Sequence, residues 1–119
     1  MYIFLAATVF TVVSILMGAF AHHALQFLLS TKELHSISVA SRYLFYNSIP
    51  LLFLFFTKDK WQWPTYLSIC FIVSSILFSG SIYLLVFAKI NQLAFLTPIG
   101  GIGTMISWGL WAFNVKRKI

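Results

Sequence analysis

Three histidines and two carboxylates are the side chains of this 119-residue chain best suited to bind a metal ion or to move protons. His22 and His23 are adjacent, His35 follows in the next segment, and the carboxylates are Glu33 and Asp59. Neighbouring helical residues project about 100° apart, so His22 and His23 do not face one bundle interior together. A site formed by His22 or His23 together with His35 and Glu33 remains the metal-binding or redox alternative, although the spacing of these residues matches no metal motif.

Other kinds of chemistry find less support in the sequence. A membrane haem needs histidines on different helices, a proton pump needs an ionisable group deep in the membrane, and a hydrolase needs a carboxylate to orient its histidine. The single cysteine, Cys70, excludes an intramolecular disulfide and a multi-cysteine metal site. We therefore expect no enzyme activity, no catalytic residue, no metal and no cofactor.

The composition indicates a membrane protein. The chain is 61% hydrophobic and 18% aromatic but only 8% charged, whereas about a quarter of the residues in a soluble domain are charged. A net charge of +6 would suggest a nucleic-acid partner in a soluble protein. Here the basic residues flank apolar blocks, as expected for anchoring at a membrane surface. We expect a lipid bilayer around the protein and no nucleic acid.

Four apolar blocks lie at residues 2–23, 38–56, 65–88 and 94–114. Each is near the roughly 20 residues that cross a bilayer as a helix. Backbone groups in lipid must be paired internally, and the blocks lack the alternating pattern of barrel strands, so helices are the predicted spans. The sequence therefore predicts an all-α integral membrane four-helix bundle, one domain over residues 1–119, with both termini on the same side.

The first block also resembles a signal peptide, because Ala19, Phe20 and Ala21 imitate the small-x-small pattern of a cleavage site. No Lys or Arg precedes the apolar run, and the run is longer than a signal core, so a retained helix is the preferred interpretation. The following connection, QFLLSTKELHSI, is expected to be a loop with room for a short interfacial helix.

Prolines and polar residues predict local features of the second and fourth helices. Pro50 lies inside the second block, where a missing hydrogen bond predicts a kink. Asn47, one turn earlier, is expected to hydrogen-bond across the bundle. Thr97 is predicted to be the N-cap of the fourth helix, with Pro98 as its first residue.

Small and weakly polar residues recur at the spacing of helix contacts. They are Ala7, Thr11, Ser14, Gly18 and Ala21 in the first helix, Ser74, Gly80 and Ser81 in the third, and Thr97, Gly100, Thr104, Ser107 and Trp111 in the fourth. Such stripes favour close helix packing, and we expect side chains to fill the space around Gly18, Gly80, Ser81, Thr97 and Gly100. A polar cavity between these faces, in a small transporter or channel, is the alternative.

Four segments carry a resemblance to a known family. GAFAHHAL, RYLFYN, FSGSIYLL and LTPIGGIGTMISWGL, in this order across the apolar blocks, resemble the YgdD-like family of small bacterial inner-membrane proteins. That family is a domain of unknown function, so the resemblance implies four helices in an inner membrane and no particular chemistry. The structural or motif residues singled out are Gly18, Phe20, His23, Tyr43, Asn47, Ser79, Gly80, Ser81, Tyr83, Thr97, Pro98, Gly100 and Gly101.

The chain departs from the family at two motifs. The family's first motif resembles GAFGAH; its final histidine falls on His23, but Ala21 and His22 stand where glycine and alanine are usual. Its second motif, similar to YQxxH, is replaced here by residues 43–47, which end in Asn47. A role that needs both family histidines is therefore in doubt. An amide at Asn47 is expected to preserve a hydrogen bond with His23, because both residues are placed towards the same membrane face.

Basic residues predict the orientation and leave the function open. The side with the termini carries five of them and the other side three, which predicts cytoplasmic termini; Trp61 and Trp63 are expected to anchor the first side. The sequence favours a non-enzymatic accessory or assembly component of a membrane complex, as a homo-oligomer or in a larger assembly. The five basic residues are Lys58, Lys60, Lys116, Arg117 and Lys118, and the three are Lys32, Arg42 and Lys89.

Overall fold

The computed structural model describes residues 1–23 and 25–115, which form four long helices. All four are long and apolar enough to cross a membrane, so the predicted all-α membrane bundle is confirmed. The helices are α1 (Tyr2–His22), α2 (Thr31–Phe56), α3 (Thr65–Phe87) and α4 (Leu96–Phe113).

The start of α2 differs from the prediction, because the helix begins at Thr31 and not at residue 38. Ser30 Oγ accepts a hydrogen bond from the Glu33 backbone N–H, and Glu33 Oε1 accepts one from the Ser30 N–H, each at 3.1 Å. This capping box pairs backbone donors that the first turn would leave free, and so starts the helix in a polar segment. The connection between α1 and α2 is therefore shorter than the expected loop, and it includes one 3₁₀ turn, Leu25–Phe27. The helix then runs through Pro50 without interruption.

The third helix changes its winding halfway along. It is α-helical over Thr65–Ser75, π-helical over Ile76–Gly80 and α-helical again over Ser81–Phe87. A π turn takes up an extra residue, and such turns are frequent at functional sites. The π turn includes the FSG part of the FSGSIY motif.

The start of α4 also differs from the prediction. The helix begins at Leu96 with Phe95 at its N-cap, directly after a 3₁₀ turn at Asn91–Phe95, so Thr97 is not the cap. Pro98 is the third residue of the helix and not, as predicted, its first. It still lies in the first turn, where its missing N–H leaves no helical hydrogen bond unmade. The Thr97 hydroxyl instead contacts Ser81 of α3.

The helices pack as two pairs, α1 with α2 and α3 with α4, and the pairs meet mainly through α2 and α3. The larger core cluster lies towards the end that holds the α2–α3 connection, and a smaller one lies towards the other end. The larger cluster is Ala7, Phe10, Leu44, Leu51, Leu54, Leu67 and Phe71, and the smaller one is Ala21, Ile37 and Val86.

The first turn of α3 contacts the beginning of α1 and the end of α4. The Tyr2 hydroxyl is hydrogen-bonded to Ser68 Oγ at 3.0 Å, and the Tyr66 hydroxyl donates to Asn114 Oδ1 at 3.2 Å. The rings of Trp61 and Trp63 stack in the adjacent α2–α3 connection. This end of the bundle therefore carries an aromatic and hydroxyl-rich rim, as expected where membrane helices meet headgroups.

Candidate functional site

The FSGSIY segment, residues 78–83, connects α3 to α2 through two side chains. Ser79 is buried, and its Oγ donates to the backbone oxygen of Ala40 at 2.8 Å. The Tyr83 hydroxyl is hydrogen-bonded to Ser41 Oγ at 2.8 Å. Hydrogen bonds between helices support association in lipid, where hydrophobic exclusion does not. The motif thus holds α2 and α3 together.

The same segment meets α4 through a hydroxyl pair and a backbone contact. Ser81 Oγ lies 2.5 Å from Thr97 Oγ1. A Cβ atom added to Gly100 would lie 2.3 Å from the backbone nitrogen of Phe78 and 2.9 Å from the carbonyl carbon of Leu77. Only glycine allows α4 to approach the π turn this closely.

A second glycine extends this contact along α4. A Cβ added to Gly103 would lie 2.5 Å from Ser74 Oγ, whereas one added to Gly101 would make ordinary contact with the Phe78 ring at 3.6 Å. Sequence reasoning placed Gly100 and Gly101 in the motif but did not single out Gly103. The spacing of Gly100 and Gly103, three residues apart on one helix face, was the available signal.

Two glycines that were predicted to lie in filled space have room around them. Apart from the neighbouring residues and backbone of the same helix, no atom lies within 4 Å of a Cβ added to Gly18, and such a Cβ at Gly80 would meet only Ile76 Cγ2 at 3.9 Å. The expectation of close packing at Gly18 and Gly80 is therefore wrong. On α1 the buried small residues are Ala7, Ser14 and Ala21, so the contact face runs beside Gly18, and Phe20 is exposed.

The histidines lie at the opposite end of the bundle from Trp61 and Trp63. His22 and His23 are exposed at the end of α1, and His22 and His35 line a recess of about 300 Å³. Glu33 pairs instead with Lys89 and with the Ser30 backbone. Across the described residues, no group of three or more His, Cys, Asp or Glu side chains is placed to hold a metal ion. The three-ligand combination that requires Glu33 is not assembled.

Asn47 contacts Trp108 of α4 and not His23. The end of α1 lies beside Thr31, and Asn47 follows Thr31 by 16 residues in α2, which is about 24 Å along a helix. Trp108 Nε1 donates to Asn47 Oδ1 at 3.3 Å. The prediction that Asn47 and His23 lie towards one membrane face and pair is wrong, whereas the expected hydrogen bond of Asn47 across the bundle is present.

The polar interior consists mostly of serines, and its fully buried atoms are paired. In the part of the chain that the structure describes, every fully buried side-chain nitrogen or oxygen has a hydrogen-bond partner. Ser75 Oγ donates to the Phe71 carbonyl at 2.6 Å, and Ser107 Oγ to the Gly103 carbonyl at 2.8 Å. These hydroxyls satisfy backbone carbonyls or one another, so their evident chemistry is structural.

Comparison with known proteins gives one family and a set of membrane relatives. Residues 17–101 match the family model described as "Protein of unknown function (DUF423)". The UPF0382 inner membrane protein YgdD of Escherichia coli (strain K12) is 30% identical over 123 residues, which cover 99% of this chain and 92% of the relative. A UPF0382 membrane protein of Haemophilus influenzae is 33% identical over 93 residues, or 77% of this chain and 75% of the relative. YwdK of Bacillus subtilis, also named a UPF0382 membrane protein, is 31% identical over 101 residues, 77% of each chain. No solved structure matches the chain.

Proposed function

The chain belongs to the DUF423 family of membrane proteins, and from this premise we propose that it is a non-enzymatic accessory or assembly component of a complex in the bacterial inner membrane. The observation that carries the proposal is the use of buried hydroxyls. Ser79, Ser81 and Tyr83 each bond to a neighbouring helix. A protein whose buried hydroxyls form hydrogen bonds between its helices is suited to act by packing against other membrane helices. The name of the Escherichia coli relative supports the inner membrane as the location.

A small transporter or channel is the alternative that this arrangement disfavours. Such a protein would need the small-residue faces of α1, α3 and α4 to line one polar route near mid-membrane. Instead, α1 packs mainly on α2, and the face of α4 at Gly100 closes directly onto the backbone of α3. The small residues therefore support close packing more than a shared passage.

The outer surfaces of the bundle support a role with partners. In their membrane-spanning segments, α1 and α4 bury a much smaller share of their residues than α2 and α3 do. A second copy of the chain or another membrane subunit would find two largely apolar helix faces there. We infer that at least one of them is covered in the assembled complex.

Purification in a mild detergent tests the proposal directly. We expect the tagged protein, expressed at native level, to migrate as an assembly larger than one chain, and native mass spectrometry to resolve a second copy or defined subunits. In a second experiment the membranes are cross-linked before they are solubilised. If the chain is still recovered reproducibly as a monomer without bound protein, the accessory role is contradicted. Saturable solute flux in proteoliposomes that contain this chain alone would favour the transporter.

We further propose that both termini are cytoplasmic. The side that includes Lys58 and Lys60 carries the larger share of basic residues, although Lys116, Arg117 and Lys118 of this group lie outside the described residues. A C-terminal green fluorescent protein fusion is expected to fluoresce, and a C-terminal alkaline phosphatase fusion to be inactive. Phosphatase fused after Lys89 is the matched control and should be active. The reverse pattern would place the termini outside.

A further inference from the structure

A groove between α2 and α4 opens on the lipid-facing surface. It consists of two adjoining recesses of about 460 Å³ each, which share Tyr43, Thr104 and Met105. The walls are mainly apolar and aromatic, with Phe78 at one end and Trp108 at the other. Volumes of this size are typical of pockets for small molecules.

Beside the exposed rings of Tyr43 and Tyr46, one nearly buried amide, that of Asn47, lines this groove. Asn47 lines the groove but is only 1% exposed. Its Oδ1 accepts the Trp108 N–H, which fixes the orientation of the amide and leaves Nδ2 on the other side. Nδ2 makes no hydrogen bond within the described residues, and since every fully buried polar atom there is paired, it must reach the groove surface.

The depth of Asn47 restricts what can accept this hydrogen bond. Asn47 precedes Phe56, the last residue of α2, by nine residues, or about 14 Å of helix, which is close to the middle of a hydrocarbon core about 30 Å thick. Phospholipid ester carbonyls lie at the interface, and acyl chains carry no acceptor. An unpaired amide donor in hydrocarbon is costly. A fitting ligand must therefore bring its own acceptor to mid-membrane.

The shape and lining of the groove specify the rest of the ligand. Tyr43 and Tyr46 pack edge to face with ring centroids 5.5 Å apart, and Trp108 faces the same recess. Aromatic walls favour a flat ring, which they contact by stacking or edge to face. A second copy of the same concave surface would leave the space empty. The lining therefore fits a small molecule that enters from the lipid.

We propose that this groove binds a lipid-soluble planar ring with a carbonyl acceptor, of the class of alkyl-substituted quinones. One carbonyl oxygen accepts the hydrogen bond from Asn47 Nδ2, and the ring lies against Tyr46 and Trp108. The alkyl tail continues along the apolar groove or into the bilayer. The proposal concerns binding alone and goes beyond the accessory role, since it does not depend on a protein partner.

Binding of a decyl-substituted 1,4-benzoquinone to the full chain in phospholipid nanodiscs tests this site. The bound quinone is extracted and measured by its absorbance, with protein-free nanodiscs as the background. We expect saturable binding of about one quinone per groove. Met105→Trp, which fills the groove, should abolish binding, and Asn47→Leu should weaken it about tenfold through the lost hydrogen bond.

Two controls separate specific binding from partition into lipid and from misfolding. Ile106→Trp changes an exposed apolar residue of α4 that does not line the groove, and it should leave the affinity within twofold of the parent chain. Decylbenzene, which has no acceptor, should not compete with the quinone. Uptake equal to that of protein-free nanodiscs, or equal binding by the Met105→Trp and Ile106→Trp variants, would overturn the proposal whether or not the chain has protein partners.

Discussion

Replacing Gly100 by alanine is expected to destabilise the bundle by about 3 kcal/mol, the upper end of the usual cost of overpacking. The new Cβ would lie 2.3 Å from the Phe78 backbone nitrogen and 2.7 Å from its Cα. Backbone atoms cannot rotate out of the way as a side chain can, so α4 must move away from α3. Reversible unfolding in mixed micelles, followed by circular dichroism against the mole fraction of denaturing detergent, measures the loss.

Gly109→Ala is the matched control for this change. It lies in the same helix, and apart from that helix's own nearby residues no atom is within 4 Å of its added Cβ. Alanine is favoured over glycine inside a helix by about 0.5–1 kcal/mol, so this variant should be neutral or slightly stabilised. Gly80→Ala should behave like Gly109→Ala, because the nearest atom is Ile76 Cγ2 at 3.9 Å. Equal losses for Gly100→Ala and Gly109→Ala would contradict the close contact between α3 and α4.

The number and type of the helices could be predicted from the sequence because the length of an apolar block is a local property. The bilayer sets that length, and no knowledge of neighbouring helices is needed. The first turn of α2 could not be predicted from the apolar blocks, because it lies in a polar segment. Its signal was the capping box formed by Ser30 and Glu33, which is also local.

The helix contacts were predicted only in part, because they depend on how each helix is rotated. Gly80 and Gly100 look alike in the sequence, yet only Gly100 meets a backbone. The π turn at Ile76–Gly80 changes which side chains face α2 and which face α4. Because no periodicity in the sequence marks an extra residue in a helical turn, small-residue spacing alone could not assign the faces.

The error at Asn47 has a different origin. Its expected partner, His23, came from two motifs that are linked in the resemblance and from placing both residues towards one membrane face. Once α2 begins at Thr31 beside the end of α1, the rise of a helix separates the two residues by about 24 Å. Trp108 lies opposite Asn47 and supplies the hydrogen bond. Depth along each helix is thus a stronger constraint on partners than motif order.

The hydroxyl pair formed by Ser41 and Tyr83 is expected to show coupling of about 1 kcal/mol in a double-mutant cycle. The two oxygens are 2.8 Å apart, Ser41 is buried and Tyr83 is partly buried between α2 and α3. Ser41→Ala or Tyr83→Phe alone leaves one hydroxyl without its partner in apolar surroundings, and the second substitution then adds little further loss. Mixed-micelle unfolding of the parent chain, both single variants and the double variant gives the coupling energy.

Ser36→Ala is the control that distinguishes a bond between helices from the general effect of removing a hydroxyl. Ser36 lies on the same helix as Ser41, but its Oγ donates to the Lys32 carbonyl one turn earlier in that helix. Its removal should combine additively with Tyr83→Phe, because the two residues share no partner. Additive losses for Ser41→Ala and Tyr83→Phe as well would mean that the FSGSIY segment does not connect α3 to α2 through this pair. The structural role of the motif would then rest on Ser79, whose bond to the Ala40 carbonyl is independent of Tyr83.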